Sequence, residues 1–190
     1  MKTTHRRVTH FWSEERSLTA FLVLLLVEIF VIAPITRSGD AITLANNVLF
    51  SLLLLAGLLT MTRRKTLQAL LAMFVALTVA TQWARNVFGV PNLEILAGLL
   101  FIGCIVGFLV IVLWQVFREG PVTIHRIQGA VAAYLLLSIL FAGAYSLLEF
   151  MRPGAFQIPA AHDPVDGQMN RAFYYFSVVT LTTTGFGDIT

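Results

Sequence analysis

A chain of 190 residues in which 57% are hydrophobic and only 12% charged is not a water-soluble domain, which carries about twice that share of charge. Its net charge of +3 is small, so the placement of the basic residues matters more than their sum. Apolar runs of about 20 residues recur without the alternation of barrel strands, which excludes a β-barrel and points to a polytopic α-helical membrane protein.

Residues 1–17 form a polar, basic tail with Lys2, Arg6, Arg7 and Arg16 beside Glu14 and Glu15. His5 and His10 in this tail read as solvated side chains. The first apolar run spans residues 18–35. A basic start before an apolar run suits a signal peptide, but no small-x-small site follows, Pro34 disfavours cleavage after Ala33, and Glu28 interrupts the run. The expectation is an uncleaved span. A carboxylate in mid-span costs about 2.5–3.5 kcal/mol on insertion scales, so Glu28 faces other helices, either as a functional group or as a polar contact between them.

A short loop, residues 37–40, leads to a second span at 41–61, which Arg63, Arg64 and Lys65 stop. The third span covers 67–83, before a loop with Arg85, Asn86, Gly89 and Pro91. The fourth covers 93–117 and holds Cys104, the one cysteine, which excludes an internal disulfide and a Cys-rich metal site. It also holds Gly103 and Gly107 at a Gly-x-x-x-Gly spacing, which either lets two helix backbones approach closely or is a chance pair in an apolar helix. Residues 118–128 read as a linker, with His125 as an interfacial residue. A fifth span follows at 129–150, then a polar loop with Pro153, Gly154, Pro159, Pro164 and Gly167. Residues 169–181 are apolar but too short to cross at about 1.5 Å per residue, which suits a re-entrant helix. Non-helical backbone after such a helix is tolerated at membrane depth where it lines a watery pore.

With the N-terminus inside, the inner segments hold Lys2, Arg6, Arg7, Arg16, Arg63, Arg64, Lys65, Arg118 and Arg126, and the outer ones hold Arg37, Arg85, Arg152 and Arg171. This distribution obeys the positive-inside rule.

The most informative stretch is the last. Tyr174 to Asp188 read Tyr-Tyr-Phe-Ser-Val-Val-Thr-Leu-Thr-Thr-Thr-Gly-Phe-Gly-Asp. A dehydrated cation in a pore needs rings of oxygen, and backbone carbonyls supply them when successive peptides point inward. Glycine adopts the φ values such a strand needs, and Gly185 and Gly187 sit where that freedom is useful. Thr183 can add a hydroxyl ring.

Thr180 to Asp188 match every fixed position of Thr-x-Thr-Thr-x-Gly-(Tyr/Phe)-Gly-Asp, and the stretch resembles the pore helix and selectivity filter of potassium channels. The resemblance covers about the last 70 residues and is specific in the filter motif alone. It implies that Thr183, Thr184, Gly185 and Phe186 supply carbonyls to K+, with Gly187 completing the filter. Phe186 stands where Tyr is more usual, keeping the outward aromatic packing without the hydroxyl. Thr184 stands where Val or Ile is commoner. Tyr175, Phe176, Thr180 and Thr182 are implied as filter support together with Asp188, the carboxylate above the filter. Tyr175 takes the place of a Trp that often bonds this carboxylate; Val179 stands where some members carry a second carboxylate.

The implied architecture is an all-α integral membrane protein with five transmembrane helices plus a re-entrant pore helix and filter loop. Its parts are a cytoplasmic tail (1–17), a four-helix domain (18–117), a cytoplasmic linker (118–128) and an incomplete pore domain (129–190). The family's inner helix, which follows the filter, is absent from the sequence, so a truncated chain is expected. Voltage sensors carry arginines through their fourth span, whereas residues 93–117 hold no Lys or Arg. The implied function is passive K+ transport through a homotetramer in the cell membrane, each chain giving one filter strand, in contact with lipid and without cofactor, nucleic acid or small-molecule substrate. Two other readings stand beside it: a potassium-uptake transporter subunit, whose filter-like loops repeat within one chain, and a membrane scaffold with a vestigial pore loop. Zinc motifs, a nucleophile elbow and a Walker loop are lacking, so no enzyme is expected.

Overall fold

The computed structural model describes residues 19, 21–32, 40–61, 65–88, 92–118, 121, 123–158 and 169–190. The tail at 1–17, with His5 and His10, the loop around Arg37, Arg63 and Arg64, the loop at 89–91 and the polar segment at 159–168 lie outside the described residues.

Every regular element among the described residues is helical. In chain order, α1 covers 21–27 and passes into a π-helical turn, Glu28–Ile32. α2 is Asp40–Met61, α3 Lys65–Phe88, α4 Asn92–Val116, α5 Ile124–Met151 and α6 Met169–Leu181. Two helices are long and apolar enough to cross a membrane, Leu93–Val116 and Ile124–Met151.

Two boundaries differ from the hydropathy reading. α3 runs on through Arg85 and Asn86, and α5 begins at Ile124, so the expected linker at 118–128 is already helical in its second half. The reason is physical. Hydropathy marks where a segment leaves an apolar environment, whereas Arg, His and Gln remain compatible with helix. The turn before α5 is set by Pro121 and by extended Thr123 (φ −111°, ψ 161°), whose carbonyl accepts the Arg126 and Ile127 N–H groups. The Arg126 guanidinium also reaches back to the Arg118 carbonyl and ties the two ends of the turn.

The core is a seam of helix faces. Phe21 and Leu25 of α1 and Ile29 of the π turn repeat every four residues and are buried in one cluster with Phe50, Leu53 and Leu54 of α2. Ile105, Phe108 and Val112 of α4 and Leu135, Leu136 and Ile139 of α5 complete this seam. The Phe21 and Phe108 rings lie 6.3 Å apart and the Phe50 and Phe101 rings 5.1 Å apart.

α4 and α5 pack closely because glycine stands at their contact. A Cβ at Gly143 would lie 2.5 Å from the Phe101 ring, and one at Gly129 would lie 2.8 Å from the Val116 side chain. Gly103 and Gly107 face α3, against Phe74 and Leu71. Their spacing therefore serves packing between α3 and α4. Glu28 is 5% exposed, at the first residue of the π turn. The outer faces carry exposed Phe30, Leu55, Leu70, Met73, Val110 and Trp114.

Candidate functional site

The site is built on α6 and on the chain that leaves it. α6 has 13 residues, a length of about 20 Å against a hydrocarbon core of about 30 Å. It is held to α5 by a buried hydrogen bond in which Ser177 Oγ donates to the Ser138 carbonyl at 2.8 Å. Around this bond the rings of Phe141, Tyr145, Phe156, Phe173 and Phe176 form a cluster. Tyr145 lies 5.0 Å from Phe176, and Phe156 lies 5.2 Å from Phe173. Phe176 thus acts as a packing residue at the back of the site.

The helix ends in a dense set of bonds. Thr182 N–H donates to the Val178 carbonyl (2.9 Å), Thr183 N–H to Thr180 (3.0 Å) and Thr184 N–H to Val179 (3.0 Å). Gly185 N–H reaches the same Val179 carbonyl at 3.5 Å. The Thr180 hydroxyl donates to the Phe176 carbonyl of its own helix, so its side chain makes no bond to the loop. The last carbonyls of a helix otherwise lack partners. Here the loop N–H groups supply them, and the strand starts directly from the negative end of the α6 dipole.

Beyond Thr182 the backbone alternates in hand. Thr183 (φ 56°), Gly185 (φ 54°) and Gly187 (φ 71°) have positive φ, and the intervening Thr184 and Phe186 do not. A uniform extended strand points successive carbonyls to opposite sides. Alternation of left- and right-handed residues turns them toward one side, as it does the N–H groups of anion-binding nests. No backbone N–H among the described residues donates to the carbonyls of Thr183, Thr184, Gly185 or Phe186. These oxygens are therefore unused among the described residues, and residues 182–187 are exposed.

Glycine suits positions 185 and 187 by conformation and not by space, since an added Cβ meets nothing within 4 Å at either. Thr183 was not legible as a left-handed residue. A β-branched residue at positive φ is a genuine outlier, held here by the bond from its N–H to Thr180.

The exit of the loop is pinned at three points. Tyr175 Oη donates to Asp188 Oδ2 at 2.9 Å, and this bond to the carboxylate raises the Tyr175 phenol above its ordinary value. Ile189 is buried. Thr190 and Gln157 exchange backbone bonds, at 2.6 Å from Gln157 N–H and 3.4 Å from Thr190 N–H. The Phe186 ring is 67% exposed in the single chain and has no aromatic partner among the described residues.

Glu149 is the supporting residue that sequence reasoning missed. It is 8% exposed at the end of α5. Its Oε1 accepts the Gly154 N–H at 2.7 Å and its Oε2 the Phe156 N–H at 3.1 Å. The carboxylate thereby closes the turn at Gly154 (φ 83°) and fixes Phe156, next to the Gln157 that holds Thr190. The available signal was one acid just ahead of Arg152-Pro153-Gly154, a turn whose N–H groups need acceptors.

No protein-family model, curated protein or solved structure matches the chain.

Proposed function

We propose that the protein is a subunit of a potassium-selective channel that carries K+ passively across the cell membrane. The observation that carries this reading is the alternating backbone from Thr183 to Gly187, with consecutive carbonyls that take no donor among the described residues. Exposed backbone oxygens in a row take up water in a single chain, and a dehydrated cation can stand in that water's place once the row lines a pore. One strand gives one side of each ring, and closed rotational symmetry gives the rest. Four chains around one axis complete each ring of carbonyls and offer the exposed Phe186 ring a neighbouring surface. The Thr183 hydroxyl adds a further ring at the inner end.

In this reading α1 to α5 are five spans, with lipid against the exposed apolar side chains of their outer faces, and α6 is re-entrant. The N-terminus is cytoplasmic, and Asp188 lies at the outer mouth. The protein does no covalent chemistry. Its contribution is to replace the water shell of K+ with oxygens held in place by the α6 bonds.

The test is potassium flux into liposomes containing the full-length protein, with and without barium. Barium-sensitive flux, larger for potassium than for sodium, is expected. Absence of flux from correctly folded protein would favour the scaffold reading.

A further inference from the structure

Thr184 is the filter residue at which this sequence departs from the commoner Val or Ile, and its hydroxyl has a partner. Thr184 Oγ1 lies 2.8 Å from Thr182 Oγ1. Thr182 Oγ1 in turn lies 2.8 Å from the Val178 carbonyl and 3.2 Å from the Val179 carbonyl. A hydroxyl has one hydrogen to give. Both carbonyls can only accept, so the Thr182 hydrogen goes to the end of α6. The hydrogen between the two threonines then comes from Thr184. The order is Thr184 to Thr182 to Val178, a hydroxyl relay in which each bond polarises the next.

The same residue is also held through its backbone, since Thr184 N–H donates to the Val179 carbonyl at 3.0 Å. Two bonds from one residue thus tie it to the end of α6, the main-chain bond directly at Val179 and the side-chain bond through Thr182, the residue that follows the helix. They fix both the height and the rotation of the peptide that follows. That peptide's carbonyl is one of the unused oxygens between left-handed Thr183 and left-handed Gly185. We infer that Thr184 is a positioning residue for ion selectivity, acting through the hydroxyl relay with Thr182 to hold its own carbonyl in the ring. This inference rests on the channel reading.

The geometry separates hydroxyl from shape. Val has the volume of Thr but puts a methyl where the oxygen was. A carbon needs about 3.3–3.6 Å from an oxygen, more than the 2.8 Å present. In Thr184→Val the strand therefore shifts, although the side chain is no larger. Thr184→Ser keeps the hydroxyl and loses only a methyl.

The experiment is bi-ionic reversal potential in planar bilayers, on the full-length protein. Thr184→Val is expected to lower the potassium-over-sodium permeability ratio about fivefold, the weight of one neutral hydrogen bond, with oligomer yield unchanged. Thr184→Ser is expected to restore the parent ratio. In a Thr182→Val background, Thr184→Val should have no further effect, because the relay is already gone. A conducting Thr184→Val protein with the parent's ratio overturns the inference, and so does a lowered ratio that Ser does not restore. If Thr184→Val abolishes conduction while Thr184→Ser conducts with the parent's ratio, the hydroxyl requirement holds. A parent protein that carries no potassium current overturns the channel reading, and this inference with it.

Discussion

Tyr175 and Asp188 are joined by a hydrogen bond of 2.9 Å that spans the loop after α6 from its supporting helix to its exit. The twelve residues between them, 176–187, include the last turn of α6 and every residue of alternating hand. Removing the bond frees the exit at Asp188 while Ile189 and the Gln157–Thr190 pair still hold the chain beyond it. Tyr175→Phe should therefore fold normally and lose conduction severalfold faster during sustained opening. Because the phenol is raised above its ordinary value, it stays protonated, and remains a donor, through neutral and mildly alkaline pH. The parent's kinetics should be flat over that range. Current decay in Tyr175→Phe and Asp188→Asn that matches the parent would show that the bond does not hold the loop.

Glu149 should matter for stability more than its place at a helix end suggests. Its buried carboxylate accepts two backbone N–H groups, and each hydrogen bond to a charged group contributes about 1.5–3 kcal/mol. Glu149→Ala removes both and should lower the thermal midpoint in detergent clearly. Glu149→Gln retains one acceptor oxygen and should fall in between. Equal midpoints for all three proteins would place the turn's stability elsewhere, in the packing of Phe156 against Phe173 and Phe176.

Much of this arrangement was legible in the sequence, for reasons that differ by element. The bounds of α6 follow from an apolar run that ends at a row of threonines, and the structure has the helix at Met169–Leu181. The start of α5 was hidden because polar residues end a hydropathy run without ending a helix. Glu149 was hidden because its value lies in two N–H groups across a turn, which no periodicity displays. The positive φ of Thr183 contradicts local preference, and only the bonds around it hold it there. The pairing of Tyr175 with Asp188 came into view through resemblance alone, since a spacing of thirteen residues has no local signature.

Voltage should have little effect on opening. No Lys or Arg lies between Leu93 and Val116 in α4, and moving one charge across the membrane contributes about 2.3 kcal/mol per 100 mV. A helix that holds no basic residue, and whose one acidic residue, Glu94, sits in its first turn, gives the field no row of charges to move. The conductance–voltage relation should be shallow between strongly negative and positive potentials. A steep relation, with several gating charges per subunit, would mean that another segment moves charge through the field.

The filter reading makes its sharpest demand at Gly185, and Gly154 is a close control. Both have positive φ, 54° at Gly185 and 83° at Gly154. At both, an added Cβ meets nothing within 4 Å. Alanine therefore introduces the same kind of penalty at each site, conformational and not steric, of about 1–2 kcal/mol per chain. At Gly154 that penalty falls on a turn closed by Glu149, away from the alternating strand. At Gly185 it falls on the strand itself, and relief comes from rotating a peptide so that its carbonyl leaves the common side. In a tetramer the penalty acts four times on one ring. Potassium should then lose coordinating oxygens, while sodium, which such rings fit less well, loses less. Gly185→Ala should abolish the potassium preference or the conduction, with oligomer yield nearly intact. Gly154→Ala should weaken stability slightly and leave the reversal potential unchanged. If Gly185→Ala conducts normally with the parent's potassium preference, the strand from Thr183 to Gly187 does not select the ion.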